Sequence, residues 1–414
     1  MKPQSNENNI PKHWQVKKLG EVCQTTSGGT PSRGNKSYYE GTIPWVKSGE
    51  LDRGLILDTE EKISEEAVKY SSAKVFPKGT LLIALYGATI GKLAFLGVDA
   101  ATNQAVCGIY KNENIDSNYL YHFLFSKKPS LVKQGIGGAQ PNISQGILKN
   151  LDIPIPPLSE QLAIVSKIEE LLSDLENGKQ QLLTAQQQLK VYRQSLLKAA
   201  FEGKLTNVKT VECELPKHWR MSTIGDVFEV FIGSTPKRNN SNYWGGNINW
   251  LSSGEIAFCN IKSTKEKITT EGLENTSCKI HPIGTVIIAM IGEGKTRGQA
   301  AILKVASSHN QNTAAIRVNN KIYKSELLYY YLVLKYEDNR RVGSGNNQKA
   351  LNKERVKGIP IPIPPLKEQE LIVDNLESKL TVCDKIEETI KVALLKSESL
   401  RQSILKKAFE GKLL

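Results

Sequence analysis

Apolar residues recur at alternating intervals of three and four along two long stretches of this chain. In the first stretch the series runs through positions 165, 168, 172, 175, 182, 189, 196 and 200, and only Lys179, Gln186 and Arg193 interrupt it with polar side chains. Eight of the eleven positions that lie 208 residues later are apolar as well. This spacing is typical of a coiled-coil seam, so it predicts two long helices that each carry one apolar stripe.

The two helical stretches are copies of one another. IPIPPLSEQ (153–161) returns as IPIPPLKEQ (361–369), and QSLLKAAFEGKL (194–205) returns as QSILKKAFEGKL (402–413). Prolines cannot donate to a sheet ladder or continue a preceding helix, so this run separates a strand-like segment from the start of each helix. Gly203 and Gly411 lie where a left-handed C-terminal cap is expected. A fixed long period of this kind indicates an internal duplication.

The segments that precede the helices form a second repeat, with a shift of 205 residues. PKHW (11–14), GGTP (28–31) and SGE (48–50) return as PKHW, GSTP and SGE in the second half. Strand-like runs at 80–86 and 285–291 are bounded by glycines, and 119–126 and 327–335 resemble short helices. We therefore predict the α+β class: two similar α/β domains separated by two long helices with a pseudo-twofold repeat. The short polar linker at 207–214 favours antiparallel packing of the helices.

Composition narrows the function classes. The chain has 414 residues, a net charge of +13 and six cysteines without any C-x-x-C spacing. Its length favours several domains, and its basic character favours nucleic acid as a partner. The cysteine pattern supports neither a zinc site nor a disulfide framework. The absence of a long apolar run and of a signal-peptide core predicts a cytoplasmic protein with no membrane contact.

The doubled I-P-I-P-P-L-x-E-Q and K-x-A-F-E-G-K-L motifs, alternating with divergent domains, resemble the specificity (S) subunit of type I restriction-modification systems. The resemblance covers nearly the whole chain. It implies two target recognition domains (1–152 and 207–360), which each read one half of a bipartite double-stranded DNA target. It also implies two conserved helical regions (153–206 and 361–414), which set the gap between the half-sites and dock two methyltransferase (M) subunits. Restriction (R) subunits would join this core, and the chain itself would be non-catalytic and without a cofactor.

Candidate DNA contacts come from loop chemistry, since the resemblance does not transfer individual contact residues. The loops after the strand-like runs carry cations that could bind phosphate or fork onto guanine, or they could be plain solvated turns. Amides at 102–104 and 310–312 could read adenine, or they could close turns. Glycine-amide segments at 135–144 and 343–351 are suited to ordering on DNA, or they are connectors. The candidates are Lys47, Thr89, Lys92, Asn103, Gln104, Gln140, Asn142, Lys295, Thr296, Arg297, Gln299, Asn346, Asn347, Gln348 and Lys349.

The repeated helix motifs supply the candidates for subunit docking. Each residue of the first copy has a partner 208 residues later, which suits two copies of one partner. The candidates are Leu158, Glu160, Gln161 and Phe201, with Leu366, Glu368, Gln369 and Phe409. Trp45, Trp250 and Tyr39 are expected in cores rather than in base stacking.

Two other classes of function are open to the sequence. The segment GEGKT (292–296) ends like a phosphate-binding loop, but position 289, where the motif requires its first glycine, is Ala289. No N-P-P-Y/F methyltransferase motif is present, which leaves methyl transfer to a partner. The enzyme alternative, a fused methyltransferase-nuclease fragment or a nucleotide-dependent protein, predicts binding of S-adenosylmethionine or ATP. A coiled-coil adaptor would lack DNA specificity.

Overall fold

The computed structural model describes residues 10–135, 142–206, 215–292, 294–341 and 351–414. The chain divides into two compact units, Met1–Leu182 with Lys391–Leu414, and Leu183–Ile390. This division cuts each long helix once. Each unit therefore holds one α+β domain, the first part of one long helix and the last part of the other. The domain boundaries after residues 152, 206 and 360 follow the sequence repeat and stay a prediction.

The first unit contains one five-stranded and one four-stranded sheet. The strands are β1 (Gln15–Lys18), β2 (Thr25–Ser27), β3 (Ile43–Val46), β4 (Leu55–Ile56), β5 (Glu61–Ile63), β6 (Val75–Phe76), β7 (Leu81–Ala84), β8 (Leu93–Leu96), β9 (Ala100–Thr102), β10 (Val106–Ile109) and β11 (Asp152–Ile155). The helices are α1 (Leu19–Val22), α2 (Glu65–Tyr70), α3 (Ser117–Gln134), α4 (Gln145–Lys149) and α5 (Leu158–Phe201), the last extending into the second unit. The sheet orders are β2-β10-β7-β8-β4 and β5-β3-β9-β6, and β1 pairs with β11.

The second unit repeats this plan. Its strands are β12 (Arg220–Thr223), β13 (Glu229–Ile232), β14 (Trp244–Leu251), β15 (Cys259–Ile261), β16 (Glu266–Ile268), β17 (Val286–Ala289), β18 (Ala300–Leu303), β19 (Ser308–His309), β20 (Thr313–Arg317) and β21 (Pro360–Ile363). Its helices are α6 (Ile224–Val227), α7 (Thr270–Glu274), α8 (Ser325–Leu334), α9 (Tyr336–Arg341), α10 (Lys353–Lys357) and α11 (Leu366–Phe409), which extends into the first unit. The sheet orders are β13-β20-β17-β18-β15 and β16-β14-β19, and β12 pairs with β21.

The central strands of both five-stranded sheets are apolar on both faces. All four residues of β7 and all four of β17 are buried. Helix α3 covers the first sheet with Tyr119, Phe123 and Leu124, and α8 contributes Leu327 and Leu328 to the second core. Because a strand buried on both sides loses its alternation of polar and apolar residues, these strands read as continuous hydrophobic runs. This agrees with the prediction of strands at 80–86 and 285–291.

The helix predicted at 119–126 is too short. Helix α3 continues to Gln134 and passes through Pro129. A proline inside a helix removes one hydrogen bond and usually marks an end, which is why the sequence pattern stops there. Leu131 lies beyond the proline and is fully buried. Burial of this last turn against the domain core therefore outweighs the lost hydrogen bond.

The predicted seam matches the observed burial along both long helices. All eleven seam positions of α5 are buried or half-buried, and in α11 only Glu387 is exposed. In the first unit the start of α5 shares a core with the end of α11, and in the second unit the end of α5 shares a core with the start of α11. Each unit thus shows antiparallel packing. Gly203 and Gly411 have φ angles of 73° and 68°, which confirms the predicted left-handed caps.

Candidate nucleic-acid interface

Three of the predicted DNA-contact segments of the first unit meet at one end of the five-stranded sheet. We call the connection of β7 to β8 loop 2 (85–92) and the connection of β9 to β10 loop 3 (103–105). The backbone N–H of Leu85 donates to the carbonyl of Ala105 at 2.8 Å, and that of Ile143 donates to the carbonyl of Leu85 at 2.9 Å. Loop 2 is therefore the centre of the cluster, and Asn142 lies beside it through a bridge to Tyr86.

The second unit gathers the equivalent segments in the same way. Loop 2′ (290–299) connects β17 to β18, and loop 3′ (310–312) leads into β20. The N–H of Met290 donates to the carbonyl of Asn312 at 2.8 Å, and the N–H of Leu351 donates to the carbonyl of Met290 at 3.0 Å. The sequence predicted these DNA-contact segments one by one, without indicating that they are neighbours. In each of the two units, the fold brings them side by side.

A fourth segment that sequence reasoning used only as a landmark belongs to each cluster. We call it loop 1 (28–36) in the first unit and loop 1′ (233–241) in the second. The N–H of Gly29 donates to the carbonyl of Thr102 at 2.9 Å, and Thr30 Oγ1 donates to Gln104 Oε1. A Cβ added at Gly28 would lie 2.2 Å from the carbonyl oxygen of Thr102, so only glycine permits this approach. The repeat of GGTP as GSTP was the signal that could have identified the segment.

The matching contacts in the second unit keep the same geometry. The N–H of Ser234 donates to the carbonyl of His309 at 2.9 Å, and Thr235 Oγ1 donates to Gln311 Oε1. A Cβ at Gly233 would lie 2.2 Å from the carbonyl oxygen of Asn310. Loops 1 and 1′ are therefore fixed to loops 3 and 3′ by equivalent bonds.

The predicted cations of the first unit are paired with acids. Lys92 Nζ contacts Asp52, and Lys47 Nζ lies 3.0 Å from Glu60 and 3.1 Å from Glu61. The bonds to Glu60 and Glu61 raise the pKa of Lys47, and burial opposes this only in part. Phosphate would have to compete with these acids for both ammonium groups.

Two polar candidates of the first unit, Asn103 and Thr89, close turns, while the side chain of Gln104 is open to solvent. Asn103 Oδ1 accepts from the N–H of Ala105 at 3.2 Å, and Thr89 Oγ1 donates to the carbonyl of Tyr86 at 2.7 Å. Gln104 is exposed. The turn-closing alternative therefore fits Asn103, and the base-contact alternative remains with Gln104.

In the second unit, the predicted DNA contacts among the described residues lie within loop 2′. Lys295 is exposed, Thr296 and Gln299 are half-buried, and the Nε atom of Arg297 is buried with no hydrogen-bond acceptor among the described residues. A phosphate-binding loop connects a strand to a helix, whereas this loop connects β17 to the antiparallel strand β18. The geometry therefore disfavours nucleotide binding. The predicted contacts Gln140, Asn346, Asn347, Gln348 and Lys349 lie outside the described residues.

The glutamates at the helix starts hold the PKHW segments of their own chain. Glu160 accepts from Trp14 Nε1 at 3.0 Å and lies 2.9 Å from His13 Nε2. Glu368 accepts from Trp219 Nε1 at 3.0 Å and lies 2.8 Å from His218 Nε2. Burial would raise the pKa of Glu368, but the hydrogen bonds from His218, Thr206 and Trp219 hold it below its usual value.

The neighbouring glutamines are fully buried, and their amides are satisfied internally. Gln161 Oε1 accepts from the N–H of Asp116 at 2.8 Å, and Nε2 donates to the carbonyls of Asn114 at 3.0 Å and Pro156 at 2.9 Å. Gln369 makes the same three bonds at the same three distances. These side chains join each helix start to a loop of its own domain and present no surface to a partner.

The phenylalanines at the helix ends are buried too. Phe409 meets Tyr119 and Phe123 in the first unit, and Phe201 meets Tyr331 in the second. Among the docking candidates, Leu158 is 47% exposed and Leu366 is half-buried. A groove of about 620 Å³ beside the start of α5 is lined by His13, Lys17, Pro156, Pro157 and Leu158 among others. The surface available to another subunit therefore lies around the leucine, outside the buried motif residues.

The chain belongs to the family of the type I restriction modification DNA specificity domain, whose sequence profile matches residues 11–185 and 216–396. It is a type I specificity subunit of a restriction-modification system. The catalytic roles of these systems lie in partner subunits. The matched ranges cover both α+β domains and most of both long helices.

Two curated relatives span most of the chain. The StySPI specificity subunit of Salmonella potsdam is 25% identical over 99% of this chain and 91% of its own length. The MjaIX specificity subunit of Methanocaldococcus jannaschii is 25% identical over 79% of this chain and 77% of its own length.

Two solved structures share the fold. The HsdS subunit from Thermoanaerobacter tengcongensis aligns with a TM-score of 0.67 at 22% identity, over 97% of this chain and 98% of that one. A chain solved in work on complex assembly and conformational transition of the type I R-M system aligns with a TM-score of 0.77 at 22% identity, over 97% and 99%.

The described segments contain neither a cluster of metal ligands nor a membrane-spanning helix. No group of three or more histidine, cysteine, aspartate or glutamate side chains in them could hold a metal ion. None of the helices in these segments is both long enough and apolar enough to cross a membrane.

Proposed function

We propose that each α+β domain reads one half of a bipartite DNA target through the end of its sheet where loops 1, 2 and 3, or 1′, 2′ and 3′, converge. One observation carries the proposal: both units gather the same four segments by equivalent backbone bonds, while the side chains of loops 2 and 2′ differ. Backbone geometry common to both domains would present the loops to DNA in the same way. The differing side chains would then supply different base contacts.

Exchange of one domain tests this proposal. Residues 10–152 are replaced by the corresponding domain of another family member, and the modified sequences are determined by methylation-sensitive genome sequencing. One half of the target should change and the other should persist. The matched control replaces residues 215–360 and should change the opposite half. A change of both halves after either exchange would contradict the assignment of one half-site to each domain.

The long helices are proposed to set the spacing between the half-sites. Each has 44 residues and is about 65 Å long at about 1.5 Å per residue. Four residues inserted into the middle of both helices add about 6 Å, or roughly two base pairs, and approximately preserve the apolar stripe. We expect a longer spacer in the methylated sequence. Substitution of four exposed residues in the same turns, without insertion, is the control, and an unchanged spacer after insertion would reject the idea.

The start of each helix is proposed as a docking surface for one methyltransferase subunit. Leu158 and Leu162 are 47% and 52% exposed, and Leu371 near the start of α11 is 54% exposed. Exposed apolar side chains near both helix starts suit contact with a partner protein. Leu158→Asp should reduce the methyltransferase stoichiometry measured by native mass spectrometry. Val191→Asp, at a 67% exposed site far from the helix start, is the control.

The enzyme alternative is tested with the isolated chain. We expect no ATP hydrolysis in a phosphate-release assay, because loop 2′ lacks the strand-loop-helix geometry that a phosphate-binding loop uses. We also expect no binding of S-adenosylmethionine by calorimetry, because the chain has no N-P-P-Y/F methyltransferase motif. Saturable binding of either ligand would support the enzyme alternative. DNA binding without preference for any bipartite duplex would favour the adaptor alternative.

A further inference from the structure

Loops 1 and 1′ each hold one arginine against two aromatic rings and one glutamate. The Arg33 guanidinium carbon lies 4.3 Å from the ring centre of Tyr39 and 5.2 Å from that of Trp45. Arg33 Nη1 donates to Glu61 at 2.6 Å. Trp45 is itself fixed, because its Nε1 donates to the carbonyl of Gly29 at 3.1 Å.

The second unit contains the same arrangement 205 residues later. The Arg238 guanidinium carbon lies 3.9 Å from the ring centre of Trp244 and 5.0 Å from that of Trp250. Both terminal nitrogens of Arg238 donate to the carboxylate of Glu266. Trp250 Nε1 donates to the carbonyl of Ser234 at 3.0 Å. Four side-chain positions and one backbone acceptor thus keep their relationship in two domains that have diverged elsewhere.

Both arginine side chains remain open to solvent despite these contacts. Arg33 is 56% exposed and Arg238 is 55% exposed. Stacking on a ring and pairing with a carboxylate fix the plane of a guanidinium, which has five N–H donors in all. The exposed donors therefore project from a preorganised group, in loops that Thr30 and Thr235 join to Gln104 and Gln311.

We propose that Arg33 and Arg238 are matched, sequence-independent contacts to the phosphate backbone of the two half-sites. This inference rests on the proposed function. Neighbouring residues of the two loops differ, with Ser32 against Lys237 and Gly34 against Asn239, whereas the arginines are the same. The phosphate backbone is chemically the same in two half-sites of different base sequence, and arginine binds phosphate with paired donors. An identical group in both domains therefore suits the shared part of the target.

The test uses the complex of the full chain with its methyltransferase subunits. Arg238→Gln should weaken binding to cognate and unrelated duplexes by the same factor, about tenfold. It should also reduce the slope of log affinity against log salt by about one. Arg238→Lys should retain the slope. Lys78→Gln also removes one exposed positive charge, at a site remote in sequence from both loop 1 and loop 1′. This charge-matched control should leave the affinity for DNA nearly unchanged.

Glu266→Gln distinguishes a phosphate contact by Arg238 from a purely structural role, in which the ion pair of Arg238 with Glu266 only stabilises the loop. Both Arg238→Gln and Glu266→Gln break the same ion pair, so both should lower thermal stability alike. Only the phosphate contact predicts that Glu266→Gln retains or strengthens DNA binding, because it releases the arginine charge. Equal weakening by both variants, or altered preference at one base position, would overturn the inference. If the unaltered complex bound no bipartite duplex, the proposed function would fail instead.

Discussion

The two domains fill one equivalent layer of their cores with opposite chemistry. In the first domain this layer is apolar and fully buried, and in the second it is polar and equally buried. Strand pairing establishes the equivalence, since Trp45 pairs with Ala101 and Trp250 pairs with Ser308. The apolar set is Phe76, Ala100 and Ala101, and the polar set is His281, Ser307 and Ser308.

A continuous chain of hydrogen bonds makes the polar layer possible. Arg317 Nε donates to His281 Nδ1 at 3.2 Å, which makes Nε2 of His281 the protonated nitrogen. That nitrogen donates to His309 Nε2 at 3.2 Å, and His309 Nδ1 then donates to Thr313 Oγ1 at 2.7 Å. Thr313 in turn donates to the carbonyl of Asn310 at 2.9 Å. Both imidazoles are neutral in this arrangement.

The same frame therefore accepts either an apolar or a polar layer. The donors and acceptors of the histidine chain are matched, whereas Ser308 Oγ is buried without a hydrogen-bond partner among the described residues. The cost appears in the titration of the histidines. Burial lowers the pKa of His281 to about 3, with help from the charges of its neighbours, and burial lowers the pKa of His309 to about 4. The first domain makes no comparable demand at this layer.

The largest expected loss of stability follows removal of the terminal aromatic anchors of the two units. Phe409 contacts two rings of the first unit, with centroids 5.2 Å and 5.4 Å away, whereas Phe201 contacts one ring at 4.9 Å. Phe409→Ala should cost about 4 kcal/mol and Phe201→Ala about 3 kcal/mol. Hydrogen exchange by mass spectrometry should show lost protection in the unit that holds each residue. Equal losses would mean that the second ring adds nothing.

The buried glutamines should show no difference at all. Gln161→Ala and Gln369→Ala each leave one N–H and two carbonyls without a partner, at the same distances in both units. We expect each to lower the free energy of unfolding by about 2 to 3 kcal/mol. Denaturant titration followed by hydrogen exchange measures both. Unequal costs would show that the two helix starts are not energetically equivalent.

Acid should destabilise the second unit more than the first. The pKa values of His281 and His309 in the folded state lie below the usual value of about 6.5, so their contribution to stability is complete above that pH and is lost as pH falls. Between pH 7 and pH 5 the second unit should lose about 2 kcal/mol for each histidine that takes up a proton in the unfolded chain and stays neutral in the folded unit.

A transplanted layer supplies the control for the acid experiment. The variant His281→Phe, His309→Thr, Thr313→Val and Arg317→Tyr installs the residues of the first domain, where Phe76 packs on Tyr110. Its stability should depend less on pH over the same interval. His122 of the first unit also has a pKa lowered by burial, so some acid sensitivity should remain there. An unchanged slope in the variant would show that the pair is not responsible.

The repeat could be predicted because its segments match in sequence. The seam and the ends of the long helices could be predicted because periodic burial and glycine caps each leave a local sequence pattern. The convergence of loops 1, 2 and 3 could not, since the backbone bonds from Leu85 to Ala105 and from Gly29 to Thr102 leave no side-chain pattern. The prediction of Gln161 as a docking residue rests on its place in a repeated polar motif. Its burial depends on a loop about 45 residues earlier, and no local signal records that contact.

The smallest expected effect on stability comes from the ion pairs between the long helices. Arg193 contacts Asp384 at 2.6 Å and Glu387 at 3.0 Å in the second unit, whereas Arg401 contacts only Glu176, at 3.1 Å, among the described ion pairs of the first. Partly exposed pairs contribute about 0.5 kcal/mol, so Arg193→Gln should cost slightly more than Arg401→Gln. Both costs should shrink in 1 M salt, where the screening length is only about 3 Å. Salt-independent losses in denaturant titration would instead assign the effect to the arginine stems, which pack along the apolar seam.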